Sequence, residues 1–260
     1  MRRSKINMKN ILVTGAKGFI AKNLIKRLNK SSLFNIFEFS RNSSLDDLAN
    51  IVKEVDFIFH LAGEVKPKSK KNEFEKSNSG LTKSLIIAIK DSKKKIPILF
   101  ASSIHSDTSD NYYGKTKKES ELSIERYSID EGVQCFIYKL PHIFGEGCKP
   151  NHNSVITTWI YNRINNLEVI IYDRNITMEY IYVQDLIDNF IELIEHNVHS
   201  ELSIFKEYTN VYTTTLGNVD DYIQDFYLNI ENNQYHIKDN DFKSKLFKVY
   251  KQYYKYEKES

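Results

Sequence analysis

Short apolar runs rich in β-branched residues alternate, along the first half of the chain, with longer stretches of helical period. The runs are Ile11–Val13, Ile36–Phe39, Phe57–Leu61, Ile98–Ala101 and Phe136–Leu140. Between them, amphipathic segments at Ile20–Leu28, Leu45–Lys53, Phe74–Lys90 and Lys115–Tyr127 predict helices. Strands apolar on both faces belong inside a parallel sheet, and the helices between them supply the crossovers. Right-handed crossovers then give an α/β fold built on a doubly wound parallel sheet.

After Pro141 the pattern changes. Turn residues crowd Gly145–Asn153, and a helical stretch follows at Val155–Ile164. A short strand pair is expected around Val169–Tyr172 and Tyr180–Val183, before a helix at Leu186–Glu195. The expected organisation is a large domain over residues 1–145 and a small C-terminal lobe over residues 146–260, with some segments returning to the large domain. The last twenty or so residues, rich in lysine and tyrosine, read as a peripheral helix or a frayed tail. There is no internal repeat.

The chain has 260 residues, 41% of them apolar and 27% charged, an ordinary balance for a globular protein. A net charge of +3 is too small to argue for nucleic acid, and Lys66–Lys71 and Lys93–Lys95 read as solvated loops. No apolar run approaches the ~18 residues a membrane span needs. Met1-Arg2-Arg3 resembles a charged targeting segment, but Gly15, Lys17 and Gly18 break the apolar stretch behind it. Met8, just before the first strand, is an alternative start. Cys135 and Cys148 are too few for a disulfide framework, and Cys148 reads as structural. The seven histidines lack ligand spacing, so no metal is expected and the expected compartment is cytoplasmic.

The first strand runs into Thr14-Gly15-Ala16-Lys17-Gly18-Phe19-Ile20-Ala21 and then a helix. Glycine at 15 permits a tight turn, and glycine at 18 lets the backbone approach a pyrophosphate facing the helix N-terminus. That order of strand, glycines and helix reads as a dinucleotide cradle in a Rossmann-type domain, with Gly15, Lys17, Gly18, Phe19 and Ile20 against the phosphates. The second strand ends in Glu38-Phe39-Ser40-Arg41. A carboxylate at the strand tip would favour NAD, whereas Ser40 and Arg41 offer a hydroxyl and a guanidinium fork to the 2′-phosphate of NADP. Glu38 falls within the strand, before its tip, and NADP (NADPH) is the favoured reading.

The fourth run ends in Phe100-Ala101-Ser102-Ser103, bringing hydroxyls to the carboxyl edge of the sheet. Ten residues on, Tyr113 and Lys117 share a helix face at spacing i, i+4. An ammonium beside the phenol should bring its pKa nearer working pH. Tyr113 could then protonate an alkoxide as hydride arrives, while Ser103 hydrogen-bonds the carbonyl oxygen. Tyr254 and Lys258 repeat the spacing without a phosphate loop or serine pair. Tyr112 meets only Thr116 four residues on.

Thr14–Ala21, His60-Leu61-Ala62-Gly63, Asn78, Ser103 and the Tyr113/Lys117 pair resemble the extended short-chain dehydrogenase/reductases, the NAD-dependent epimerase/dehydratase family. The resemblance implies that Leu61, Ala62 and Gly63 line the cofactor, that Asn78 supports the active-site helix, and that Lys117 also holds the nicotinamide ribose. It further implies that His142, in Pro141-His142-Ile143-Phe144-Gly145, contacts the nicotinamide; on its own it would read as a packed loop histidine. A narrower resemblance runs through Phe144–Gly145, Cys148–Val155 and Asp173-Arg174-Asn175. It points to bacterial capsule and O-antigen reductases acting on a UDP-2-acetamido-2,6-dideoxy-4-hexulose. That likeness implies substrate contact at Asn151, Asn153 and Arg174 alongside Ser103, and a nucleotide-sugar substrate.

Two departures stand out. Met178 sits where many relatives carry arginine, and the cupin domain that handles ring epimerisation in that family is not in the sequence. Either the sequence is an isolated reductase domain or that activity sits on another protein, which makes a separate cupin-type epimerase a possible partner; a homodimer is the expected assembly. Alternatives are an NAD-dependent sugar-nucleotide 4-epimerase or dehydratase, and a non-catalytic NADP-sensing module. Ile104 and His105 after Ser103, in place of an acidic residue, argue against a dehydratase. Retention of both Tyr113 and Lys117 argues against a sensor.

Overall fold

A computed structural model describes residues 8–65, 70–108, 111–152, 154–195, 205–208, 210–230 and 241–259, without the side chains of the last two. Residues 1–7, residues 66–69 of the lysine-rich loop, Asn153 and the Lys258 side chain lie outside that description. The chain divides into two compact units, Met1–Leu140 with Phe190–Tyr208, and Pro141–Asn189 with Thr209–Ser260. Among the described residues, no helix is long and apolar enough to cross a membrane.

The first unit is a five-stranded sheet in the order β2-β1-β3-β4-β5. Its strands are β1 Lys9–Thr14, β2 Phe34–Phe39, β3 Phe57–His60, β4 Ile98–Ser103 and β5 Cys135–Leu140. All four pairings are parallel. Alternation along β3 sends Ile58 and Phe59 to opposite faces. Ile58, Leu12, Phe100 and Ile137 pack on one face with Leu48 and Val52 of α2 (Leu45–Glu54), Leu85 and Ile89 of α4 (Leu81–Asp91), and Ile124 and Tyr127 of α6 (Tyr112–Glu131). On the other face Phe190 of α8 (Val183–Glu195) meets Phe59 at 5.8 Å and Tyr138 at 5.2 Å between ring centroids. Helices on both faces make this the expected doubly wound, Rossmann-like sheet. Beyond β5, Phe205 bridges in parallel to Ile137.

Local chemistry sets the helix ends. Ser44 and Asp47 form a reciprocal capping box at the start of α2. The Asn111 side chain accepts from the Gly114 amide to start α6, and Gly132, left-handed at φ 61°, ends it. The single helix expected over Phe74–Lys90 is interrupted. The helix α3 (Lys71–Glu75) passes through a π-helical turn, Lys76–Gly80, before α4. The extra residue in that turn carries Asn78 inward, where it is 2% exposed.

The second unit holds a three-stranded sheet in the order β6-β7-β8: His142–Phe144, Thr177–Tyr182 and Tyr212–Thr215. β6 pairs parallel with β7, and β7 pairs antiparallel with β8. The strand expected at Val169–Tyr172 does not form. Asn166 turns left-handed at φ 54°, and the segment after it packs Val169 and Ile171 against the core of this unit, with Ile170 and Tyr172 exposed, but it does not pair with β7. Its place beside β7 is taken by the β-branched run in β8. The tail is neither peripheral nor frayed. Helix α10 (Phe242–Glu259) buries Leu246, Val249 and Tyr250 against Trp159 and Ile160 of α7 (Val155–Ile164) and Ile223 and Phe226 of α9 (Leu216–Asn229). At ~1.5–3 kcal/mol per buried apolar side chain, these residues make α10 a structural member of this unit.

Candidate active site

β1 and β3 carry the two loops that flank the point where the strand order reverses, the usual crevice for a ligand in an open α/β sheet. After β1 the chain turns at Gly15, left-handed at φ 68°, and the Gly18 amide donates to the Gly15 carbonyl at 2.7 Å. A Cβ on Gly15 would stand 2.7 Å from the Ala62 Cα, so the loop after β3 rests directly on this turn. Gly18 is the N-cap of α1 (Phe19–Leu28), and no side chain caps it. The first helical amides, of Phe19 and Ile20, therefore remain donors toward an anion. A bare glycine turn before an uncapped helix start fits a dinucleotide pyrophosphate. Lys17 is exposed beside it.

β2 ends at Phe39, so Glu38 is a strand residue and Ser40 and Arg41 follow the tip. Arg41 is not simply presented to solvent. Its Nη2 donates to Oε2 of Glu64 at 2.8 Å, with the arginine side chain 77% exposed and the glutamate 7%.

Behind the loops lies a polar network. His60 is fully buried, and burial with the nearby Lys117 charge pushes its pKa down to about 3. A neutral ring with its proton on Nε2 donates to Thr82 Oγ1 at 2.9 Å, while Nδ1 accepts from Thr14 Oγ1 at 2.8 Å. Thr14 Oγ1 in turn accepts from the Ala62 amide, and Asn78 accepts from the Glu64 amide and donates to Thr116 on α6. The turn, both loops and α6 are thus tied together through side chains, and Leu61, Ala62, Gly63 and Asn78 fall into one cluster.

The carboxyl end of β4 places Ser103 beside the first turn of α6, where its hydroxyl and the Tyr113 phenol share a hydrogen bond. Lys117, one turn further on, is 4% exposed and donates from Nζ to the Ala101 carbonyl at 2.7 Å, over the Phe100 ring. A Cβ on Gly63 would sit 3.2 Å from Lys117 Nζ, so the β3 loop meets the catalytic candidates at that glycine. The phenol departs from the sequence expectation. Burial is the main influence and raises its pKa, and the Ser103 hydrogen bond lowers it. Tyr113 is held protonated, the form that donates a proton in a reduction.

Two groups near this set are not marked by any sequence motif. The His105 ring, at the start of the short helix α5 (His105–Thr108), lies edge-on to Tyr113, 6.2 Å between centroids. Glu121 is fully buried on α6, accepts from Ser102 Oγ, and lies 3.4 Å from Lys118 and 3.7 Å from Lys139. The available signal is helical spacing: Glu121 follows Lys117 by four residues and Tyr113 by eight, on the face that α6 buries. Burial pulls the Lys117 amine down to about 8, and the Glu121 carboxylate acts the other way. Lys117 should therefore lose its charge as pH rises through about 8, and kcat/KM should fall on an alkaline limb there. Glu121→Gln should move that limb to lower pH. A limb that stays in place would remove Glu121 from the control of Lys117.

The other candidates belong to the second unit. His142 lies in β6 opposite Tyr180, 5.9 Å between ring centroids. Asn151 is exposed and left-handed at φ 55°. Arg174 donates to Asp220 at 2.7 Å, Asp221 at 2.5 Å and the Gly217 carbonyl at 3.1 Å, so a substrate would have to share its guanidinium. Asn153 lies outside the described residues. Cys148 is buried and its thiol pKa is pushed up by that burial, which leaves it structural.

The five-stranded sheet is that of a Rossmann-like α/β fold, and the chain belongs to the NAD dependent epimerase/dehydratase family, which it matches over residues 11–205. It is 34% identical over 194 residues to UDP-2-acetamido-2,6-beta-L-arabino-hexul-4-ose reductase of Pseudomonas aeruginosa, covering 75% of this chain and 52% of that protein. The chain thus spans about half the length of that curated relative. The crystal structure of the capsular polysaccharide assembling protein CapF from Staphylococcus aureus superposes with a TM-score of 0.82 at 33% identity, covering 94% of this chain and 65% of that one. UDP-glucuronic acid 4-epimerase from Bacillus cereus, in complex with UDP-glucuronic acid and NAD, shares the fold at 15% identity and a TM-score of 0.79, covering 95% of this chain and 99% of that one.

Proposed function

We propose that this chain is an NADPH-dependent reductase of a nucleotide-activated 4-keto-6-deoxy sugar, with UDP-2-acetamido-2,6-dideoxy-hexulose as the substrate, in capsule or O-antigen precursor synthesis. The observation that carries the reading is Ser103, Tyr113 and Lys117 converging at the carboxyl end of β4 beside Gly63, next to an uncapped glycine turn. The similarity to the Pseudomonas reductase supports the substrate class.

In this reading Gly15, Gly18, Phe19 and Ile20 hold the cofactor's phosphates, Ser40 and Arg41 meet the adenosine end, and Leu61, Ala62 and Gly63 line its path to the nicotinamide. The bound cofactor supplies a hydride to C4 of the sugar. Ser103 donates a hydrogen bond to the C4 oxygen, and Tyr113 gives its phenolic proton to the same oxygen as the carbonyl becomes an alcohol. Lys117 stabilises the phenolate left behind and orients the nicotinamide ribose. His142, Asn151, Asn153 and Arg174 are assigned to the nicotinamide and sugar nucleotide. The chain is taken as a homodimer.

The test is a reaction of the purified chain with NADPH and UDP- or dTDP-linked 4-keto-6-deoxy sugars in deuterated water. A single proton donor on oxygen, with no carbon base, should give product whose C4 hydrogen comes from NADPH and whose C3 and C5 carry no deuterium. Deuterium at C3 or C5 would identify a carbon base, with His105 beside Tyr113 the first residue to replace. Tight NAD that is reduced and reoxidised within one turnover would replace the reductase reading with that of an epimerase.

A further inference from the structure

The sheet order puts β2 and β3 on either side of β1. Arg41 follows β2 and Glu64 follows β3, so their ion pair spans the glycine turn that follows β1. The two partners are held very differently. Glu64 is buried, its backbone amide donates to Asn78 Oδ1 at 2.7 Å, and its Oε1 accepts from the Val65 amide at 3.1 Å. Arg41 is 77% exposed along its side chain. Glu64 is therefore a fixed charge, and Arg41 a movable one swung toward it.

We propose that Glu64 is a specificity-determining residue that competes with the 2′-phosphate of the dinucleotide for Arg41, and so weakens the preference for NADPH over NADH. The proposal rests on the dinucleotide reading of the turn at Gly15–Gly18. A 2′-phosphate draws the guanidinium into charge-assisted, two-pronged hydrogen bonds. Taking Arg41 away leaves the buried Glu64 carboxylate with less compensation, at a cost that NADPH binding must meet. NADH, with a hydroxyl at that position, makes no such demand on Arg41.

Dissociation constants for NADPH and NADH, read by calorimetry on the full chain without substrate, test this independently of turnover. Glu64→Gln keeps the shape and removes the charge. It should tighten NADPH about three- to fivefold, the upper end for one partly exposed ion pair, and change NADH by less than about twofold. Glu64→Ala, checked for folding by thermal unfolding, should shift the NADPH/NADH ratio the same way. Arg41→Ala alone should weaken NADPH about tenfold or more and barely alter NADH. In that background, Glu64→Gln should no longer move the ratio. Unchanged or weaker NADPH binding in both Glu64 variants, or an equal gain without Arg41, overturns the proposal. A wild-type preference for NADH would overturn the NADP assignment alone, because the proposal is judged by the change in ratio between variant and wild type. Failure of every variant to bind either dinucleotide overturns both.

Discussion

Replacing Tyr113 by phenylalanine is expected to lower kcat by about 10²–10⁴-fold, the range a positioned general acid supplies, with cofactor affinity nearly unchanged. The ring stays in place between Phe74 and His105, so packing at the start of α6 is kept. What is lost is the hydroxyl that Ser103 meets and that carries the proton to the sugar oxygen. Loss of that one hydrogen bond should cost about 1 kcal/mol of stability, too little to unfold the chain or explain the rate. Tyr254→Phe is the control. Tyr254 has a lysine four residues on, yet it lies in α10 stacked on Tyr250, and its replacement should leave turnover unaltered. Equal activity in the two variants would withdraw the role assigned to Tyr113.

Strands β3, β4 and β5 were legible because they are buried on both faces and so read as apolar runs, while the edge strand β2, FNIFEF, showed through its aromatic and β-branched residues despite Asn35 and Glu38. The second sheet was harder for the opposite reason. β6 and β8 are short, His142–Phe144 and Tyr212–Thr215, and β8 reads as a row of threonines rather than a core strand. Val169, Ile170, Ile171 and Tyr172 imitate a strand, and Val169 and Ile171 do pack on the core, but the place beside β7 goes to β8. The tail misled through composition. Its lysines and tyrosines suggest solvent, while Leu246, Val249 and Tyr250, at helical spacing, fall on one buried stripe.

The candidate site divides in the same way. Tyr113 and Lys117 stand out because helical spacing and a strand-end serine pair are local signals. Glu64 has no such signal, and the helical spacing of Glu121 to Lys117 does not show what it meets, because each acquires its meaning from a partner far along the chain: Arg41 for one, Ser102 and Lys139 for the other. The phenol pKa was misjudged for a related reason. Sequence spacing places the lysine near the tyrosine, but the burial that raises the phenol pKa comes from packing that spacing does not show.

Two glycines share a backbone conformation and differ in surroundings, which makes them a matched pair. Gly15 and Gly132 are left-handed, at φ 68° and 61°. Alanine in that region costs roughly 1–2 kcal/mol in either place. At Gly132 a Cβ would meet nothing within 4 Å, so Gly132→Ala should cost that amount and no more. At Gly15 the Cβ would lie 2.7 Å from the Ala62 Cα and 2.8 Å from its amide nitrogen. Backbone atoms cannot swing aside as a side chain can, and Thr14 holds that same Ala62 amide. Overpacking there should add about 1–3 kcal/mol, for a total of about 2–5 kcal/mol by urea denaturation. The displaced loop also carries the donors assigned to the phosphates, so Gly15→Ala should lose dinucleotide binding while Gly132→Ala retains it. Equal destabilisation in the two variants would mean that the loop after β3 yields freely, and that the tight seat under the proposed pyrophosphate site is not a constraint of this fold.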